Sequence, residues 1–448
     1  MGRATVIERD FLAETPRHRK GLPQGRHTHL LWSGGVRILE TLLPGVTDKL
    51  LAAGARKISM YSDMITLTSH GWQHRFPGDQ FAVMCSRPLL DLVVRNEILA
   101  TGRIDLKQGH EAIALTGDAR RVTGVRVRTL DSGERSAVEA DVVVDATGRG
   151  SRLSSWMAEL GAPPVGQDLV DVGIQYATRI FRAPPGATTG FPAVNLLADH
   201  RDRQPGCNGA LYPIEDGRWI VTLSGTRGAK VPAREEDFLR FAEELRSPLV
   251  ADLIRTAEPL TPLYSTHTGT DRRLYPERMR HWPEGLLLFG DSLAAFNPIY
   301  GHGLTSAARA AATLDSQLQQ GGLDEWSSRR AQQAICEGVD DPWIMAASRD
   351  ICYVDCRNFA TDVRLTSLAP ALQRFAEAIA AKAIRAAGVA EMVANVASLT
   401  TPQSELGTSE FLSLLQRDRM LPELTEPPLR ADELALANLD PSAPRPLV

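Results

Sequence analysis

One segment constrains the fold more than any other. Gly285-Leu286-Leu287-Leu288-Phe289-Gly290-Asp291 reads as a short buried strand that ends in Gly-Asp. A loop runs on to Asn297, and Pro298-Ile299-Tyr300-Gly301-His302-Gly303 opens a helix at Leu304. A carboxylate at a strand end can bind a chain of hydroxyls, and two glycines let the backbone approach a flat ring closely. The helix N-terminus offers free N–H groups and positive dipole to an anion. A reduced flavin, negative along its N1–C2=O edge, uses all three.

The rest of the chain supplies a matching order. Ala4-Thr5-Val6-Ile7-Glu8-Arg9-Asp10 reads as a buried strand ending in acid, the second strand of a dinucleotide-binding sheet. Such a strand is normally preceded by a first strand and a G-x-G-x-x-G turn. That motif is absent from the sequence, so Met1 is expected to be an internal or misassigned start. Ser86 N-caps a helix that carries Pro88 in its first turn and extends past Arg95. Asp141-Val142-Val143-Val144 reads as a fully buried strand running into the turn Asp145-Ala146-Thr147-Gly148-Arg149-Gly150. Residues 170–230 alternate as an antiparallel sheet with one covered face, punctuated by Glu215-Asp216-Gly217. Helices are expected at 235–245, 249–257, 307–318, 329–337 and 373–387, ahead of a proline-rich tail from Pro422.

Composition narrows the classes. With 448 residues, 43% hydrophobic and 23% charged, the chain can bury full cores and is not a disordered protein. A net charge of −4 argues against nucleic acid or anionic membrane as a bulk electrostatic partner. No apolar run is long enough to span a bilayer, and the five cysteines imply neither a disulfide framework nor a zinc ribbon. A reducing cytoplasm is the expected location. The basic residues are mostly arginine, with lysine only at 20, 49, 57, 107, 230 and 382, which suggests a GC-rich bacterial genome.

Taken in order, the acid-ending strand, arginine-bearing helix, strand–glycine turn and Gly-Asp motif resemble the FAD-dependent aromatic-hydroxylase-like monooxygenases. That resemblance implies an α/β fold: an FAD-binding Rossmann-like domain interrupted by an antiparallel β-sheet substrate domain, with a helical C-terminal portion. The boundaries it implies are 1–60, 85–165 and 275–325 for the FAD-binding domain, 61–84 and 166–274 for the substrate domain, and 326–448 for the helical region. It further implies that Glu8 binds the adenosine ribose and that Arg87 or Arg95 contacts the ribose or pyrophosphate. Asp291 would bind the ribityl chain, while Pro298, Gly301, Gly303 and Leu304 would line the isoalloxazine. Thr147 stands where that family carries Asp in an Ala-Asp-Gly motif. Electrons would therefore come either from NAD(P)H or from a separate flavin reductase.

A closer likeness covers nearly the whole chain. Residues 18–32, Gly71-Trp72-Gln73-His74-Arg75-Phe76-Pro77, residues 215–222, residues 296–303 and Asp340-Asp341-Pro342-Trp343-Ile344 are similar to the polyether-antibiotic epoxidases of the monensin and lasalocid type. The likeness implies epoxidation of E-alkenes of a linear polyketide polyene, free or carrier-protein-bound. The oxidant would be the C4a-hydroperoxide that reduced flavin forms with O2, so no general base is required. An epoxide hydrolase or a flavin reductase is the implied protein partner.

Other groups admit simpler readings. His302, beside the flavin loop, either hydrogen-bonds near the reacting oxygen or N5, or satisfies local backbone groups. His27 and His29, with Arg26, can meet phosphate but lack a third ligand for a metal. Cys352 and Cys356 share a helical face as unreactive thiols, and Arg272-Arg273 reads as a solvated pair that could steer an acidic carrier protein. Tyr176, Phe191, Trp72 and Trp219 line either a substrate channel or a core. Two alternatives stay open: an aromatic hydroxylase of the same fold, and a flavin-free truncated homologue acting as a pathway partner. A flavin halogenase is disfavoured by the lack of a Trp-x-Trp-x-Ile-Pro element.

Overall fold

The computed structural model describes residues 3–267, 270–321 and 327–440, with 442 and 445; the rest of the proline-rich tail lies outside the described residues. Its largest sheet has seven strands in the order 264–267, 175–182, 218–225, 207–214, 193–196, 64–68 and 71–72. All neighbours are antiparallel except Ala193–Leu196, which runs parallel to Met64–Thr68.

Alternation decides what each face of this sheet does. Along Arg218–Gly225, Trp219, Val221 and Leu223 pack into a core with Phe238, Phe241 and Leu249 of the helices Glu236–Glu243 and Leu249–Ile254. The intervening Thr222 and Ser224 point the other way, into a cavity. Ala177 likewise joins the core, whereas Tyr176 lines the cavity. The three-residue connection Glu215–Gly217 places Asp216 and Gly217 at φ +61° and +62°, left-handed positions that Asp and Gly tolerate in turns.

The side expected to bind nucleotide is built from two parallel pairs, Ala4–Glu8 with Ile104–Gln108 and Val143–Asp145 with Leu286–Leu288. The three-stranded meander of His110–Gly117, Val122–Thr129 and Arg135–Glu139 adjoins them. Leu286, Leu287 and Leu288 are fully buried against Trp156, Ile335 and Trp343. The expectation of buried strands at 4–10 and 141–144 is corrected: Val6 is 41% and Val144 39% exposed. The reason is that each strand is hydrogen-bonded along one side only among the described residues.

The helical part also departs from the sequence pattern. One helix, Ser328–Asp350, runs straight through Pro342, although proline lacks the N–H and crowds the preceding turn. Val339, Trp343, Ala346 and Ala347 are all buried against the Leu286–Leu288 core, and that packing outweighs the local cost. Helices Ala369–Ala383 and Ala387–Ala397 are separate, with a break at Ile384–Ala386. Among the described residues, no helix is long and apolar enough to cross a membrane.

Candidate active site

A cavity of about 430 Å3 lies between the polar face of the seven-stranded sheet and the segment 289–307. On one side the buried Leu286–Leu288 strand delivers a tight turn at Gly290–Ser292, and the helix His302–Gly321 begins beyond it. Asp291, Pro298, Gly301, Gly303 and Leu304 all line the cavity, as does Arg87. These are six of the positions to which the sequence assigns the cofactor.

The two glycines of the loop have different reasons for being glycine. Gly301 stands at φ +70°, and a Cβ there would come within 2.8 Å of the Leu30 side chain, so the fold itself demands it. A Cβ at Gly303 would meet nothing nearer than Asp291 Oδ1, at 3.8 Å. No neighbouring protein atom requires glycine at 303. The space a side chain would fill is cavity, which is what a flat ring laid on the backbone needs. Gly148 and Gly150 are similarly free of close neighbours, with the nearest atom to a Cβ on Gly148 being Asp291 Cβ at 3.9 Å. The residues present thus fit the ring and ribityl half of FAD.

Asp145 holds the two glycine turns together. Buried, it accepts hydrogen bonds from Thr147 N (2.9 Å), Thr147 Oγ1 (2.6 Å), Ser151 Oγ (2.5 Å) and Ser292 Oγ (3.1 Å). Ser292 Oγ in turn accepts from Gly148 N at 2.8 Å. The Thr147 hydroxyl is therefore committed inside its own turn. Arg149 leaves that turn, donates to the carbonyls of Thr270 and Phe296, and sets its Nε 3.4 Å from Asp291 Oδ2. Burial pushes the Asp291 carboxyl up, and Arg149, Arg87 and Arg272 oppose that shift.

The loop is pinned from behind. Asn297 Oδ1 accepts from Ile299 N (3.2 Å) and from the Tyr176 hydroxyl (2.8 Å). Its Nδ2 donates to both oxygens of Asp350, at 2.9 and 3.1 Å, and the Tyr300 hydroxyl donates to Asp350 at 2.5 Å. On the sheet side, His27 Nδ1 lies 2.7 Å from Thr178 Oγ1, which lies 2.7 Å from Thr222 Oγ1. Thr222 Oγ1 accepts from Thr28 N at 3.0 Å. The His27 and Tyr176 rings are 5.4 Å apart. Burial, then the nearby Arg26 charge, lowers His27 to about 4; burial, then Arg87, lowers His29 to about 3.

Several assigned residues sit elsewhere. Glu8 does not line the cavity; it accepts from Asp10 N (2.9 Å) and pairs with Arg19 at 2.7 Å, and Arg19 is the residue that reaches the wall. Arg95 is outside as well, its guanidinium donating to the Ala13 carbonyl. His302 points away from the cavity: it is buried, lowered to about 3 by burial and then by Arg349, and lies near the Ala397 backbone. The helix that presents Gly303 therefore turns the His302 side chain toward the C-terminal helices. Of the four aromatics, Tyr176 lines the cavity, while Trp72, Phe191 and Trp219 belong to the core.

Arg272 and Arg273 are not a solvated pair. Arg273 is buried against Asp340 (2.8 Å) and Glu277 (3.0 Å), and Arg272 donates to the Asp291 carbonyl at 3.1 Å. Cys352 and Cys356 fall beyond the helix end at Asp350, not on a helical face, and burial pushes their thiols up to about 11 and 12. Sequence reasoning missed Arg19, Arg149 and Asn297 as site builders. An arginine directly after a strand-exit glycine was the one local signal for Arg149.

The chain is similar to several known proteins. Protein Rv3254 of Mycobacterium tuberculosis is 29% identical over 361 residues, 78% of this chain and 75% of that protein. A kynurenine 3-monooxygenase of Salinispora arenicola is 31% identical over 248 residues, 51% of each chain. The solved flavin-dependent brominase Bmp2 matches with a TM-score of 0.62 at 13% identity, over 92% of this chain and 90% of that one. The anhydrotetracycline hydroxylase OxyS from Streptomyces rimosus matches with a TM-score of 0.55 at 16% identity, over 89% and 71%. Both structures speak to the fold: a mixed α/β protein with antiparallel sheets and a helical C-terminal region. A family described as FAD binding domain matches residues 16–329. With glycine turns, carboxylate and helix start in place, and well over half of its length matched, this chain belongs to the FAD-binding domain family.

Proposed function

We propose that this chain is an FAD-dependent monooxygenase that epoxidises E-alkenes of a linear polyketide polyene in polyether ionophore biosynthesis. One observation carries the choice of alkene. The histidines and tyrosines of the cavity wall are held neutral and are poor bases: burial keeps His27 near 4 and His29 near 3, and raises the Tyr176 and Tyr212 phenols. A phenol is activated by losing a proton to a base, whereas an alkene reacts through its own π electrons.

Bound and reduced, FAD supplies with O2 an electrophilic oxygen atom. Asp291 and Arg149 would hold the ribityl side, and Gly303 would leave room for the ring. Leu30, Leu197, Ala210 and Phe296 provide apolar wall for a chain substrate and exclude water from the reacting face. The Thr147 hydroxyl spends its hydrogen on Asp145 and offers a nicotinamide donor neither a carboxylate nor a free O–H, which favours a separate flavin reductase as the electron source.

A second reading, aromatic hydroxylation, is favoured by the relative named a kynurenine 3-monooxygenase. Incubating the flavin-loaded protein with a polyene ester and with a phenol, in the presence of NAD(P)H and then of a flavin reductase, separates the two. Mass spectrometry is expected to find the alkene oxidised by one oxygen. Hydroxylated phenol with untouched alkenes would overturn the epoxidase.

A further inference from the structure

Behind the loop lie two carboxyl groups that the proposed chemistry does not use. Asp271, in the strand Thr270–Leu274, is 1% exposed, and Asp350, at the end of the helix Ser328–Asp350, is 0% exposed. Their side chains are within hydrogen-bonding reach of each other. Asp350 is well supplied with donors, taking Asn297 Nδ2 and the Tyr300 hydroxyl. Asp271 is not: neither of its oxygens receives a hydrogen bond from an N–H or O–H among the described residues. The backbone N–H of Asn297 opposes the rise of Asp271 weakly and makes no full hydrogen bond to it.

Two adjacent buried carboxylates cannot both stay ionised, and an ionised carboxylate without donors is the costlier of the two. We infer that Asp271 is a protonated carboxylic acid donating its single hydrogen to ionised Asp350, and that Asp350 is thereby the positioning residue of the flavin-facing loop. The direction of every hydrogen bond then follows. Ionised Asp350 is acceptor-only, so Asn297 must turn Nδ2 toward it and Oδ1 toward the loop. Oδ1 then takes Ile299 N–H and the Tyr176 hydroxyl hydrogen, which fixes Pro298–Ile299 and one cavity aromatic together. Burial raises both carboxyls, Asp271 further, as its poorer supply of donors requires. The Arg149 charge opposes the shift of Asp271, and the Arg349 charge that of Asp350.

The consequence for the cofactor rests on the flavin reading; the proton assignment does not, and the test separates them. Infrared spectroscopy of the full chain is expected to show the C=O stretch of a buried carboxylic acid that Asp271→Asn removes. An unchanged spectrum in Asp271→Asn would overturn the assignment, with or without flavin. Fluorescence titration with FAD tests positioning. Asp271→Leu, which offers Asp350 no donor, and Asp350→Asn, which reverses the polarity, should each weaken FAD binding about tenfold, the scale of one hydrogen bond to a charged group. Asp271→Asn keeps an N–H donor toward Asp350 and should rescue the Asp271→Leu loss to within about twofold. Equal losses in Asp271→Asn and Asp271→Leu would overturn the positioning role. Should Asp350→Asn not fold, the Asp271 pair and the infrared band still decide.

Discussion

The Tyr176 hydroxyl, on a strand of the sheet, donates to Asn297 Oδ1 on the loop at 2.8 Å. This bond ties the wall expected to meet substrate to the wall expected to meet the flavin. It also commits the phenolic hydrogen, leaving the Tyr176 oxygen only lone pairs to offer a ligand.

Tyr176→Phe is expected to lower the unfolding free energy by about 1 kcal/mol, because Asn297 Oδ1 loses one of two donors while Ile299 N–H remains. Urea denaturation measures the loss. A drop of several kcal/mol would mean that the loop unfolds without this tie.

The glycines of the loop should separate binding from stability. Gly303→Ala meets no protein atom nearer than Asp291 Oδ1 at 3.8 Å and sits in the first turn of a helix, so stability should hold or rise by up to ~1 kcal/mol. FAD affinity should nevertheless fall, read by flavin fluorescence. Gly301→Ala should instead cost at least about 1 kcal/mol from its left-handed backbone, besides the contact with Leu30. Intact FAD binding in Gly303→Ala would refute the placement of the ring.

Two buried histidines and the half-buried His29 set a pH dependence. His27, His29 and His302 are held near 4, 3 and 3, below the 6.5 of an exposed imidazole. Below pH 6.5 the unfolded chain binds protons that the folded chain refuses, so stability falls as pH drops from 6.5 toward 4 and is regained on returning upward. The slope should be about 1 kcal/mol per pH unit for each histidine. His302→Gln, outside the cavity, should make the fall in urea midpoint shallower over that window; an unchanged slope would show that His302 is protonated when folded.

The purified chain is expected to take up FAD and show flavin absorbance, with loss of colour in Asp291→Ala, where the carboxylate expected to hold the ribityl chain is gone. A folded, colourless protein that cannot be reconstituted with FAD would favour the flavin-free pathway partner.

Asp291, Gly301 and Gly303 were legible in the sequence because a strand, a loop and a helix start follow one another within a single short stretch. The alternating strands around Trp219 were legible for the same local reason. What lay beyond the sequence was anything set by distant neighbours. His27 meets Thr178 across 151 positions, and its spacing to His29 suggested phosphate instead. Asn297 takes its orientation from Asp350, on another helix. Val6 and Val144 look like core residues, but burial depends on strands on both sides, and each has one. The Ser328–Asp350 helix runs past its expected end because Trp343 and Ala347 pack well enough to carry Pro342.

The two-faced sheet has an evolutionary consequence. Trp219, Val221 and Leu223 pack against the helices beneath the seven-stranded sheet, while Thr222 and Ser224, their immediate neighbours in sequence, line the cavity and bond to Thr28, Thr178 and Asn208. Odd and even positions of one strand therefore answer to different selection pressures. A lineage can exchange one oxidisable molecule for another by drifting at cavity positions such as 222 and 224, with the helices beneath undisturbed.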